Sequence, residues 1–272
     1  MQNLSISSNS SSSNLRRRDW IKKTACFFCS WFAVTQPTKI LAFLKRDWLQ
    51  FYYSQEPPVL ESLLGSLRQL PQRVSQLYGY PVVVSPVSVI VFSDRASYLA
   101  HLERTLPKAP RRSSLFVVRG GRPTILVSQG ATLAQDLMHE AVHALNYSTF
   151  QNGILPLWMD EGLAEWFEAD VDQQDRVHGL VLQQLLGNQR RMLPEPLRLS
   201  SLERIKSTTR ADAVDYAASW AWCRFLSNRK DRCHEIWAGY LRDLKEGRPA
   251  GRLSHRLSLS IPDYEKMFLA SL

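Results

Sequence analysis

The sequence predicts an α+β fold in which a small mixed β-sheet packs on one central helix and a mainly helical C-terminal half follows. Three observations carry this. Short apolar runs bounded by turn residues, with a Gly-Gly hairpin signal among them, lie before residue 130. Thr132 to Phe150 contains neither Gly nor Pro and repeats apolar residues at helical spacing. From Ser201 onward the segments read as mostly helical. The 272 residues are 44% apolar and 22% charged, enough for one sizeable core, and show no internal repeat.

The chain divides into an N-terminal segment, 1–50, and a folded domain, 51–272. Ser5 to Ser13 is nearly all Ser and Asn and is expected to be disordered. Arg16-Arg17-Arg18 and Lys22-Lys23 precede an apolar run, Ala25 to Val34, rich in Phe and Trp. That run is shorter than the roughly twenty residues that span a bilayer. A signal peptide fits the basic-then-apolar order, but no small-residue cleavage site follows. A membrane-surface element, helped by Ile40, Leu41, Phe43 and Leu44, fits the aromatic and basic content. The sequence leaves these readings open, and they favour an exported or membrane-associated protein over a cytoplasmic one.

The net charge of +9 is uneven: residues 1–50 hold eight Lys or Arg against two Asp or Glu. The remaining +3 and a small cluster at Arg229, Lys230 and Arg232 form no nucleic-acid module, so no nucleic-acid partner is expected. Cys26 and Cys29 form a lone CxxC inside the apolar run, and Cys223 and Cys233 read as core residues. Four cysteines demand no disulfide framework.

Within the domain, Val87 to Phe92 reads as a buried strand. Leu115 to Arg119 and Thr124 to Ser128 flank Gly120-Gly121-Arg122-Pro123 as a hairpin. A helix follows, with Thr132 as N-cap and Leu133, Leu137, Ala141, Ala144 and Leu145 as its apolar stripe. On it lies His139-Glu140-Ala141-Val142-His143, an HExxH motif. Residues four apart share one helix face about 6 Å apart along the axis, so His139 and His143 can close on one ion. Glu140 stands beside the first ligand, where a carboxylate can take a proton from a metal-activated water.

A catalytic zinc usually has three protein ligands and one open position. Leu155-Pro156-Leu157-Trp158 announces a second helix carrying Glu161, Glu165 and Glu168 at i, i+4 and i+7. Seventeen residues separate His143 from Glu161. That is enough to finish the first helix, turn at Asn152-Gly153 and return alongside it. Glu161 is therefore the expected third ligand. Glu165 is the expected acceptor for the free ring nitrogen of a ligand histidine, and Glu168 reads as a solvated carboxylate. Arg190-Arg191 and Pro194-Glu195-Pro196 mark a later loop.

HEAVH followed by LPLWMDEGLAEWFE resembles the gluzincin metallopeptidases, in particular small bacterial peptidase MA-like domains. The likeness is specific over about Leu137 to Glu168. It implies a minimal gluzincin-like fold and one zinc per chain on His139, His143 and Glu161. It also implies Glu140 as base and proton shuttle in peptide-bond hydrolysis. Asp160 departs from the Asn of many gluzincins and adds negative charge near the ion. Asp215 to Trp222 is similar to a downstream Tyr-x-x-Ser helix of that family, which makes Tyr216 the candidate oxyanion donor. Against this, Tyr216, Trp220 and Cys223 at i, i+4 and i+7 could simply pack a helix into the core. His178, beside Gly179, is a weaker alternative donor and reads as a loop residue.

The expected partner is a peptide or protein substrate, held by backbone pairing along an exposed edge of the hairpin. The rival classes are a catalytically silent zinc-binding module and a membrane-attached interaction module.

Overall fold

The computed structural model describes residues 42–57, 60–151, 154–168, 171–187, 192–207, 211–228 and 231–272. The Ser-rich stretch, the CxxC, the apolar run, Ile40 and Leu41 lie outside the described residues. So do Asn152-Gly153, Arg190-Arg191, Arg229 and Lys230. The architecture is α+β, with a five-stranded mixed sheet and a helical C-terminal half.

β1 (Ala42–Arg46) and β2 (Leu49–Tyr53) form an antiparallel hairpin whose turn puts Asp47 at φ 51°. Leu49, Phe51 and Tyr53 are buried while Gln50 and Tyr52 are only partly so, the period-2 pattern of a half-buried strand. Residues 42–50 pair within the same sheet as the strands that follow. Phe43 and Leu44, counted above with a membrane-surface element, are strand residues opposite Tyr52 and Phe51.

α1 (Leu60–Tyr78) carries the chain to β3 (Val87–Phe92), parallel to β2. α2 (Arg95–Thr105) begins at Asp94, whose carboxylate accepts from the Ser97 backbone N–H at 2.7 Å. β4 (Ser114–Arg119) and β5 (Arg122–Ser128) are the expected hairpin. Gly120 and Gly121 at φ 53° and 77° supply the positive φ that a two-residue turn needs. The sheet order is β1-β2-β3-β5-β4, so β4 is an edge.

The sheet is covered on both faces. Phe92 and Leu126 point to one side with Tyr98 and Leu102 of α2. Val87, Val89, Val91, Ile125 and Val127 point to the other, where Leu67, Leu70 and Val74 of α1 are buried with Leu133, Leu137 and Leu145. The last three lie on α3 (Leu133–Thr149), the HExxH helix. Thr132 is its N-cap, but its hydroxyl donates to Asp136 Oδ2 at 2.8 Å and makes no cap to the backbone.

α4 (Leu157–Glu168) begins directly after Pro156 and packs against α3. The helical half continues through α5 (Val171–Leu186), a 3-10 turn at Glu195–Leu197, and α6 (Leu199–Leu202). α7 (Ala213–Ser227), α8 (Arg232–Lys245), α9 (Leu253–Ser260) and α10 (Tyr264–Leu269) complete it. α7 starts with a reciprocal capping box between Asp212 and Asp215. Among the described residues no helix is long and apolar enough to cross a membrane.

Candidate metal centre

α3 and α4 meet where their polar residues face each other. His139 Nε2 and His143 Nε2 are 3.1 Å apart, and Glu161 Oε2 lies 3.6 Å from the first and 3.8 Å from the second. All three side chains are almost wholly buried, about a tenth exposed or less. A tetrahedral ion with ligands at about 2.0–2.1 Å separates its ligand atoms by roughly 3.3–3.4 Å, close to this triangle. Glu161 Oε2 has no hydrogen-bond partner although it is buried, a costly state for a carboxylate oxygen. A cation at the centre of the triangle satisfies it and both imidazole lone pairs. These residues are a candidate metal-binding group and fit a zinc ion in number, kind and spacing.

The outer ring nitrogens are held by carboxylates. His143 Nδ1 is 3.0 Å from Asp160 Oδ2, and His139 Nδ1 is 3.1 Å from Glu168 Oε2. With the Nδ1 protons directed at carboxylates, both Nε2 lone pairs are left for a metal. Glu168, read above as solvated, takes the position expected of Glu165. The helix brings it to His139 because it stands one turn beyond Glu165, whose Oε1 stops 4.0 Å from that ring nitrogen. Glu165 Oε2 instead pairs with His178 Nε2 at 3.1 Å. His178 is a buried residue of α5, its ring 5.0 Å from that of Trp220, and not the loop residue expected beside Gly179. Burial of Trp220 against α5 accounts for the difference.

Asp160 belongs to a longer chain of bonds. Tyr78 O–H donates to Asn146 Oδ1 at 2.5 Å, and Asn146 Nδ2 donates to Asp160 Oδ1 at 2.7 Å. Asn146 stands at i+7 from His139 and i+3 from His143. Its place on the ligand face was therefore readable from the sequence, unlike its partner.

Glu140 is buried, and its Oε1 accepts from Ser114 Oγ at 2.7 Å. Ser114 is the first residue of the edge strand β4, so the strand and the carboxylate beside the metal group are tied directly. Tyr216 on α7 is half-buried, and its hydroxyl accepts from Arg112 Nη2, while Arg112 Nη1 lies 3.8 Å from Glu161 Oε2. The Arg112 guanidinium also sits 5.4 Å from the Tyr216 ring centre. Trp220 and Cys223, on the same helix, are buried in the core. Arg112 and Ser114 come from a loop and a strand far from α4 in sequence, and no local pattern announced them.

The electrostatics favour a cation. Burial opposes charge on His139, but the carboxylates of Glu161 and Glu168, with Glu140 and Glu165 behind them, outweigh it and raise its pKa well above the ordinary value. His143 is raised in the same way, against burial, chiefly by Asp160. Glu161 is lowered despite burial because His139, His143 and Arg112 surround it. Burial, then the Glu161 field, raises the Tyr216 phenol, with Arg112 opposing.

Residues 133–249 match a family model described as "Protein of unknown function (DUF1570)". The match runs from the start of α3 past the end of α8 and so includes the whole candidate metal group. No curated protein matches the chain.

Proposed function

We propose that the protein is a zinc-dependent peptidase of gluzincin type, with one zinc held by His139 Nε2, His143 Nε2 and Glu161. The observation that carries this reading is the buried Glu161 Oε2, without a hydrogen-bond partner, facing two imidazole nitrogens at ligand spacing. Bound zinc supplies a Lewis acid that polarises a substrate carbonyl and makes water acidic near neutral pH.

The chain's own residues supply the rest. Ser114 holds one oxygen of Glu140, leaving the other to take a proton from the attacking water and return it to the leaving amine. Asp160 and Glu168 keep the two ligand rings in the binding tautomer. Arg112 donates to the Tyr216 oxygen, so the phenolic proton is free to donate to the oxyanion formed as the carbonyl is attacked. The free edge of β4 starts at the residue that bonds Glu140, which supports backbone pairing of an extended substrate there.

Elemental analysis of the purified protein beside Glu161→Ala tests the metal, and casein cleavage by both and by Glu140→Ala tests the chemistry. One zinc per chain, lost in Glu161→Ala, and cleavage abolished by Glu140→Ala are the expected results. A chain without zinc overturns the reading.

A further inference from the structure

Among the described residues, the free edge of β4 is bracketed by cations without anionic partners. Residues 94–122 hold seven Lys or Arg against only Asp94 and Glu103. Asp94 is committed to capping α2, where it accepts from both the backbone N–H and the hydroxyl of Ser97. Arg112 approaches Glu161, and Arg95 donates to the Arg111 carbonyl at 3.2 Å. Among the described residues, Arg104, Lys108, Arg111, Arg119 and Arg122 make no ion pair.

The placement of these cations follows the strand. Arg111 stands just before Ser114, at the end of β4 tied to Glu140. Arg119 and Arg122 stand opposite each other at the other end, across the two-residue turn. Like charges directly opposite in an antiparallel pair repel. Arg119 is also half-buried, and its pKa is lowered by burial with no carboxylate to offset it. Beside it, burial and the fields of Arg119 and Arg104 push His101 down to about 4. The buried His101 Nε2 has no partner. The carboxylates of the metal group lie on α3 and α4, across the sheet from α2.

We propose that the free edge of β4 takes an extended acidic polypeptide segment, with carboxylates meeting Arg111 at one end of the strand and Arg119 and Arg122 at the other. This rests on the edge-strand part of the reading above and names the class of substrate it takes. The six residues of β4 span about 20 Å, so the two groups of carboxylates lie about six residues apart along the bound segment.

The test is fluorescence anisotropy with the zinc-loaded, full-length Glu140→Gln protein at low salt. The probe is a labelled peptide with an uncharged six-residue middle and Glu-Glu at each end, compared with its Gln-Gln counterpart. The acidic peptide is expected to bind about tenfold more tightly, with the preference lost in Arg119→Ser/Arg122→Ser and weakened in Arg111→Ser. Added salt erodes it. Equal binding of the two peptides, or a preference unchanged in both variants, overturns the proposal. So does stronger displacement of the peptide by a single-stranded oligonucleotide than by polyglutamate at equal charge.

Cleavage by the natural sequence separates this proposal from the peptidase reading. Acid-selective binding with no cleavage of either peptide leaves the surface standing and removes the peptidase. Equal kcat/KM on both peptides does the reverse.

Discussion

Asn146 donates to Asp160 Oδ1 at 2.7 Å while the other oxygen of that carboxylate faces His143 Nδ1 at 3.0 Å. Asp160 is thus an acceptor on both sides, which an amide cannot be. This gives a structural reason for Asp at this position: the residue must satisfy an amide N–H and an imidazole N–H together. Asp160→Asn turns one of those contacts into donor against donor. Zinc affinity, read by competition with a chromophoric chelator, is expected to fall about ten- to a hundredfold. An unchanged affinity would remove Asp160 from the site.

Gly162, next to Glu161, is where α4 and α7 cross. A β-carbon there would stand 2.4 Å from the Ser219 carbonyl oxygen and 2.9 Å from Cys223 Sγ, so the helices must part to admit it. Gly162→Ala is expected to destabilise by about 1–3 kcal/mol, seen as a lower melting temperature. Because Tyr216 is one turn before Ser219, cleavage should fall further than zinc content. An alanine variant with the same melting temperature would show that the crossing gives way freely.

Arg112 and Tyr216 act as a unit if the guanidinium orients the phenol. Tyr216→Phe is expected to lower kcat about a hundredfold with zinc content unchanged. Arg112→Gln should lower it by less, and the double variant should be no worse than Tyr216→Phe alone. Fully additive losses in that cycle would separate the two residues.

Proton and metal compete for the same rings. His139 and His143 have pKa values raised in the folded, metal-free protein. Their protonation therefore stabilises that form fully below the unfolded histidine value of about 6.5, and the help fades as pH rises through the raised values. Zinc needs both rings deprotonated. The gain in melting temperature on adding zinc to the chelated protein should thus grow from about pH 5.5 to pH 8. A gain independent of pH would take the histidines out of the metal group.

What the sequence determined by itself is whatever helical spacing encodes. His139 and His143 share a face because they are four apart, Glu161 opens the acidic stripe of the next helix, and Gly120-Gly121 announces the hairpin. Strands β1 and β2 and helices α1 and α2 went unread, since short strands and a helix interrupted by Pro71 give weak local signals. Only the tertiary structure decided which partners meet across elements: Glu168 in place of Glu165 on His139, Asn146 against Asp160, Ser114 on Glu140, and Arg112 between Glu161 and Tyr216. Those pairings depend on how far one helix rotates and slides against another, a matter of an ångström or two. That is set by close packing at points such as Gly162 and Ser219, and no periodicity along a single chain segment carries it.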